Sequence, residues 1–352
     1  MGENLFILGA GASAESGAPL MGNFLDIAED LLRAGEVEEK NEFSKVFEVI
    51  SRLQNVFAKS NLNLDNIEAI FGAIEMARII KKLDSYSVAE IEEIRNALVI
   101  LIVNTLERKI NYPVANRQVF PTDSYKQFVD LLKDKNMKDV SIITFNYDVA
   151  LDYALYRHGE HVNYCLDESS SRGIKLLKLH GSVNWARCNE CSRIIPFDLE
   201  KYFSKFHWDI FSEETKVRLS MSKDLEHLRG FHEHSNFDKI PVLVPPTWNK
   251  TEYHGNLTNV WNHAAYELSC ARNIYVFGYS LPETDSFFRY LFALGTIGDS
   301  RIRRFWVFDP DNSGLVQKRY EALLGRGIIS RFEYNPLRFS DAVRELRKRV
   351  IK

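Results

Sequence analysis

The sequence predicts an α/β fold: a Rossmann-like, mostly parallel sheet with helices on both faces, a large helical insertion and a small second insertion. Three observations predict it. Apolar runs of strand length recur along the 352 residues, several of them separated by stretches of helical periodicity, and that alternation builds parallel sheets through right-handed crossovers. The first run leads straight into Gly9-Ala10-Gly11-Ala12-Ser13-Ala14, a G-x-G-x-x-A turn placed between a strand and a helix. Five of the runs end in a short motif, and ligands of open α/β sheets bind just past the carboxyl ends of the strands.

Asn4–Leu8 is the first expected strand. A helix is expected from about Gly11, its apolar face continuing through Phe24, Leu25, Ala28, Leu31 and Leu32. From about 22 to 138 the pattern is mostly helical: Ile67, Ile70, Phe71, Ile74 and Ala77 repeat at helical spacing, as do Ile91, Ile94, Leu98 and Leu101. Asn63 or Asp65 is expected to cap the first stripe, and Ser87 with Glu90 to form a capping box for the second. Apolar residues on other faces, Ile79, Ile80, Ile100 and Ile102, suggest burial against a neighbouring subunit, hence a homo-oligomer. Further strands are expected at Val140–Thr144, His161–Cys165, Lys175–Leu179, Val242–Val244, Asn273–Phe277, Arg304–Phe308 and Ser330–Tyr334. The expected core therefore comprises residues 1–24, 139–185 and 240–345, with a helical insertion over 25–138 and a small insertion over 186–239.

Each strand-end motif has two readings. In the glycine turn, Gly9, Ala10, Gly11 and Ser13 favour a nucleotide phosphate at a helix N-terminus, though a turn packing a helix on a sheet uses the same glycines. The ribose-reading acid expected about 20 residues on is missing. Glu29 and Asp30 have the spacing but sit in a helical pattern, which disfavours a nicotinamide dehydrogenase. In Thr144-Phe145-Asn146-Tyr147-Asp148, Asn146 and Asp148 can fix a polar ligand or a water, or simply shape a turn. His180, beside Gly181, is placed as a general base titrating near neutrality, or as a structural histidine. Neither Ser13 nor Ser280 lies in G-x-S-x-G, so a serine-hydrolase elbow is excluded.

The net charge of -3 gives no basic footprint for direct nucleic-acid binding. No run approaches the length of a membrane span, and Leu5–Leu8 is too short for a signal-peptide core. Four cysteines in a chain of this size form no disulfide framework, so a cytoplasmic protein with reduced thiols is expected. Cys188-Asn189-Glu190-Cys191 is half a zinc site. His232 and His234 could complete it, but their H-x-H spacing is unusual, and the expectation is that no metal is held.

Together these motifs resemble the sirtuin superfamily, and more closely the sirtuin-like NAD-hydrolase domains of bacterial antiphage defence. The resemblance rests on Gly9–Ser13, Thr144–Asp148, Leu179-His180-Gly181, Gly278-Tyr279-Ser280-Leu281 and Asp309. The defence-type features are the extended L-H-G-S-x-N-W of Leu179–Trp185, Pro245–Trp248 and Asn66-Ile67-Glu68. Two departures set it apart from sirtuin deacylases. Gly17–Gly22 lacks their Asp, Phe and Arg, and only one C-x-x-C is kept. The resemblance implies NAD as substrate, with Asn146, His180 and Asp148 catalytic, and with Gly9, Ala10, Gly11, Ser13, Thr144, Gly278, Ser280 and Asp309 holding the dinucleotide. It implies an NAD glycohydrolase that depletes NAD, the alternatives being an NAD-dependent protein deacylase or a non-catalytic NAD- or ADP-ribose-binding module. It also implies a partner: a helicase-type ATPase, an Argonaute or another separate sensor protein.

Overall fold

The computed structural model describes residues 3–54, 62–116, 118–167, 172–197, 199, 216–218, 220–222, 232–244, 251–283, 285–298 and 300–351. Its centre is a seven-stranded sheet. The strands are β1 (Asn4–Leu8), β4 (Val140–Thr144), β5 (Val162–Asn163), β6 (Ile174–Lys178), β10 (Asn273–Phe277), β11 (Arg304–Phe308) and β12 (Phe332–Asn335). Every pairing is parallel, in the order β12-β11-β10-β1-β4-β6-β5. After β1 the chain builds outward on one side through β4, β5 and β6, then returns to add β10, β11 and β12 on the other. The strand order thus reverses at β1, which makes the carboxyl end of β1 a topological switch point.

Strand alternation sorts the core into two layers. Phe6 and Leu8 of β1, with Tyr275 and Phe277 of β10, face one cluster, while Leu5, Ile7, Ile274 and Val276 face the other. The second cluster is covered by α8 (Thr251–Cys270), α9 (Ser286–Gly295) and α10 (Leu315–Leu323). The first holds the short α1 (Ala10–Ala14) and α7 (Ala150–Arg157), together with α2 (Phe24–Arg33), α3 (Lys40–Leu53), α4 (Ile67–Ile80) and α5 (Val88–Lys109). It also holds α6 (Asp123–Leu132) and α11 (Phe339–Val350). Helix α6 falls within the stretch expected as a helical insertion, yet its Phe128 meets Phe6, Phe277 and Phe339 and so packs on the sheet itself.

Several expectations are corrected. The helix after β1 is not continuous: α1 ends at Ala14 and α2 starts at Phe24, because Gly17 and Pro19 break the helix between them. Helix α4 is capped by neither Asn63 nor Asp65 but by Asn66, whose side chain accepts from the Glu68 amide. The Ser87–Glu90 capping box is present. Residues 242–244 add no strand to the main sheet and bridge to Gly181 instead. Short strands β2 (Tyr112–Ala115) and β3 (Gln118–Val119) interrupt the helical stretch, and β9 (Lys216–Val217) pairs with β2. Strands β7 (Trp185–Arg187) and β8 (Ile194–Pro196) form a separate hairpin.

From Ile94 to Leu106 helix α5 is buried on nearly every face, packed by α2, α3 and α4. Ile102 is therefore core and not a subunit surface, whereas Ile79 and Ile80 at the end of α4 are exposed. Two charge clusters tie α5 to its surroundings. Glu75 of α4 is buried between Arg78 and Arg95, and Arg95 donates onward to the Leu243 carbonyl. Glu107 accepts from the Met221 and Ser222 amides at 2.9 Å each and from the Ser222 and Ser220 hydroxyls.

Burial pushes the Glu107 carboxyl up to about 7, against the pull of those four hydrogen bonds. The folded chain thus holds a proton that the unfolded chain releases in the ordinary carboxylate range. Stability associated with Glu107 is present at low pH and falls as pH rises toward about 7. The difference is on the order of 3 kcal/mol. Calorimetry of Glu107→Gln against the parent should show this part of the pH dependence flattened; parallel profiles would contradict it.

Candidate active site

Five adjacent strands of the sheet, β11-β10-β1-β4-β6, each deliver one of the expected motifs to the same carboxyl edge. Asp309 follows β11, Gly278 follows β10, Gly9 follows β1, Asn146 follows β4 and His180 follows β6. At this edge lies a cavity of about 400 Å³ lined by Ala10, Gly11, Ser13, Asn146, Asp148, His180, Gly278, Ser280 and Asp309. The roof comes from elsewhere: Ala18–Gly22 from the loop after α1, Ile67 and Glu68 from α4, and Ile102 and Leu106 from α5. Gly9 and Thr144, both expected at the ligand, lie behind the lining instead. Thr144 donates its hydroxyl to the Leu8 carbonyl and accepts the Asn146 amide, so it sets the turn that aims Asn146.

The glycines are required by the packing of one turn on another. A Cβ on Gly9 would sit 2.6 Å from the Gly278 carbonyl oxygen, and one on Gly11 would sit 2.8 Å from the Gly278 Cα. Gly278 itself has φ +57, and its Cβ would meet the Ala12 nitrogen at 2.5 Å. The Gly11 amide donates to the Gly278 carbonyl at 2.9 Å, so that amide is already engaged within the protein.

Ser13 is the hub beneath the cavity. Its hydroxyl donates to Asp148 Oδ2 at 2.8 Å, and its oxygen accepts from Asn146 Nδ2 at 3.0 Å. With its one hydrogen directed at Asp148, the Tyr125 hydroxyl 2.7 Å away becomes a donor to Ser13. Asn146 Nδ2 also donates to the Gly9 carbonyl, which can only accept, and this fixes the amide orientation. What Asn146 can offer a ligand is its carbonyl oxygen. Asp148 Oδ1 accepts the Ala150 amide at the start of α7. Burial raises the Asp148 carboxyl above its ordinary range, opposed by the nearby Lys178 ammonium. Lys178 is itself fully buried, donating to the Asp148 carbonyl at 2.6 Å and pairing with Asp152 at 3.1 Å.

His180 is buried against Phe145 and Tyr147, with Nε2 3.7 Å from Asp285 Oδ2. Asp285 accepts from the Tyr279 hydroxyl at 2.7 Å, and the Tyr279 ring stacks on Phe145 at 4.0 Å between centroids. Asp309 is held at the far end of the cavity, where its side chain accepts the Asp311 amide and burial raises its carboxyl. The acidic and imidazole side chains of the lining are Glu68, Asp148, His180, Asp285, Asp309 and Asp311, with no lysine or arginine among the described lining residues. Sequence patterns alone did not indicate Tyr125 on α6, nor Tyr279 and Asp285 as neighbours of the histidine.

Cys188, Cys191, His232 and His234 form a second cluster, and none of them lines this cavity. The expectation of no metal set His232 and His234 aside on their H-x-H spacing; the fold brings both of them beside the two cysteines.

Comparison with protein-family models and with curated proteins finds no match. Among solved structures, the chain is similar to a Sir2 homologue in complex with NAD, at 15% identity over 99% of this chain and 90% of that one, with a TM-score of 0.39. It is similar to a Sir2 homologue mutant in complex with ADP-ribose, at 14% identity over 99% and 94%, with a TM-score of 0.42. It is also similar to a Sir2 protein bound to a propionylated peptide, at 12% identity over 98% and 92%, with a TM-score of 0.38. Such values assign no activity and place no ligand.

The packing of the two turns makes a direct prediction. Gly278→Ala should cost more than the roughly 1–3 kcal/mol of a strained backbone alone. Gly159 is the control, since it has φ +73 but nothing within 4 Å of its Cβ position. Urea unfolding should show Gly278→Ala clearly the more destabilised; equal losses would mean that the contact is unimportant.

Proposed function

We propose that this chain is an NAD glycohydrolase, cleaving NAD to nicotinamide and ADP-ribose. The observation that carries the reading is the convergence of Asp309, Gly278, Gly11, Asn146 and His180 on one cavity from five consecutive strands. Strands about 4.8 Å apart spread those groups over about 19 Å, a span suited to an extended dinucleotide. The acidic lining suits the cationic nicotinamide ring and the ribose hydroxyls.

Breaking the nicotinamide–ribose bond passes through an oxocarbenium-like transition state. The leaving ring carries its own positive charge, so no strong acid is needed. In this reading His180 accepts a proton from water or a ribose hydroxyl, and Asp285 steadies the resulting imidazolium. Asn146 presents its carbonyl oxygen to the ribose or to the attacking water. Asp148 acts through Ser13, holding the Asn146 amide in place, and also faces the carboxamide. Asp309 and Ser280 meet the adenine-side ribose, where a carboxylate would disfavour a 2′-phosphate.

We propose further that the activity serves antiphage defence by depleting NAD. Support comes from the motif resemblance: Ile67 and Glu68 of the Asn66-Ile67-Glu68 motif reach the cavity. Pro245–Trp248 lies outside the described residues. Homo-oligomerisation is proposed through the exposed Met76, Ile79, Ile80 and Val88, with a separate sensor protein, such as a helicase-type ATPase or an Argonaute, as trigger. Among the described residues no helix is long and apolar enough to cross a membrane.

Incubation with NAD, alone and with the products of neighbouring genes, should release nicotinamide and ADP-ribose. His180→Ala should lower turnover by about 10²–10⁴-fold, and Asn146→Ala should lower it as well while costing about 1–3 kcal/mol of stability through its lost buried hydrogen bonds. Acyl-peptide-dependent formation of O-acetyl-ADP-ribose as the main product would favour a deacylase. Binding of NAD with no turnover under any of these conditions would favour a non-catalytic module. Light scattering at micromolar concentration should show more than one copy per particle; a monomer with full activity would remove the subunit contact.

A further inference from the structure

We propose that Cys188, Cys191, His232 and His234 form a tetrahedral zinc site that closes the second insertion and tethers the segment carrying His180. The four ligand atoms lie within 4.8 Å of one another. Cys191 Sγ is 3.2 Å from His232 Nε2, and Cys188 Sγ is 3.5 Å from His234 Nδ1. Zinc–sulfur bonds of about 2.3 Å and zinc–nitrogen bonds of about 2.0–2.1 Å at tetrahedral angles place sulfur and nitrogen about 3.5 Å apart. Two thiolates and two imidazoles suit zinc and do not suit magnesium or calcium, which take oxygen ligands. The set supplies all four positions, as structural zinc sites do. Its ligands come from the two ends of the insertion, one C-x-x-C and one H-x-H, so metal binding would fasten those ends together.

The backbone shows what the fastening would hold. From the cluster a ladder runs toward the cavity. Asn189 donates to Asn236, Asp238 to Arg187, Val242 to Trp185, Ser182 to Val242, and Val244 to the His180 carbonyl. Cys188 bridges Phe237 and Gly181 bridges Leu243 in the same antiparallel sense. His180 thus sits at one end of a ribbon whose other end is the ligand cluster. Its Trp185–Arg187 strand also pairs with β8, and a metal at the open end would fix the register of this small sheet.

Elemental analysis of the full-length protein, expressed with zinc supplied, should find about one zinc per chain. Cys188→Ser and His234→Ala should each bring this below about a tenth, since loss of a ligand exceeds the roughly 10–100-fold effect of an outer-shell partner. If those variants fail to fold, the parent protein still decides: after chelation and addition of cobalt(II), it should show thiolate-to-metal charge transfer and the intense visible bands of a tetrahedral site. Zinc below about a tenth of an equivalent in folded protein, with no such cobalt spectrum, would overturn the site. Hydrogen exchange tests the tether: chelation should raise exchange across residues 180–188 and 236–244. Bound zinc with unchanged exchange there would leave a metal site but refute its hold on His180.

Discussion

The site depends on one close approach of backbone to backbone. The turn after β1 and the turn after β10 touch through Gly9, Gly11 and Gly278, with no room for a single methyl group between them. This contact brings the two halves of the sheet together at the point where strand order reverses. It also sets the position of α1, and therefore of Ser13. From Ser13 the order spreads to Asn146, Asp148 and Tyr125 through hydrogen bonds of 2.7–3.0 Å. A shift of either turn would be felt at every polar group on the cavity floor.

Charge inside the fold is handled by pairing it and by engaging its remaining lone pairs. Lys178 is buried with Asp152 and the Asp148 carbonyl, and Glu75 is buried between two arginines. Such pairs cost desolvation and are held by geometry more than they add to stability. The cavity differs, because its carboxylates line it without a cation among the described lining residues. Negative potential concentrated in a low-dielectric cleft favours positive charge developing there. On the proposed reading, that charge is the oxocarbenium carbon together with the pyridinium it leaves.

The parallel sheet was legible because its central strands are short, apolar and buried on both faces, a pattern that leaves few alternatives. The strand-end motifs were legible because polar residues and glycines directly after such runs have nowhere to go but the carboxyl edge. Other features were not. Gly9 and Thr144 carry motif positions yet are not among the lining residues: Gly9 packs against Gly278 and Thr144 orients Asn146, contacts that sequence alone does not show. Asn66 caps α4 in place of Asn63 or Asp65 because three nearby residues share the same capping chemistry. Ile102 of α5 read as a subunit surface because no periodicity reveals that the second half of this helix is buried within the fold. His232 and His234 lie more than forty residues from their cysteines, and only tertiary structure brings the four together.

The cavity also has a history in time. Its walls come from residues near 10, 146, 180, 278 and 309, and β1 pairs directly with β10 through Asn4 and Asn273. Contacts so distant along the chain form late, after the loop-closure entropy of everything between them has been met. During synthesis the amino-terminal strand can pair with β4, but its second partner lies 269 residues downstream. A nascent or truncated chain therefore has no complete cavity, and on the proposed reading catalysis begins only when β10 and β11 have docked.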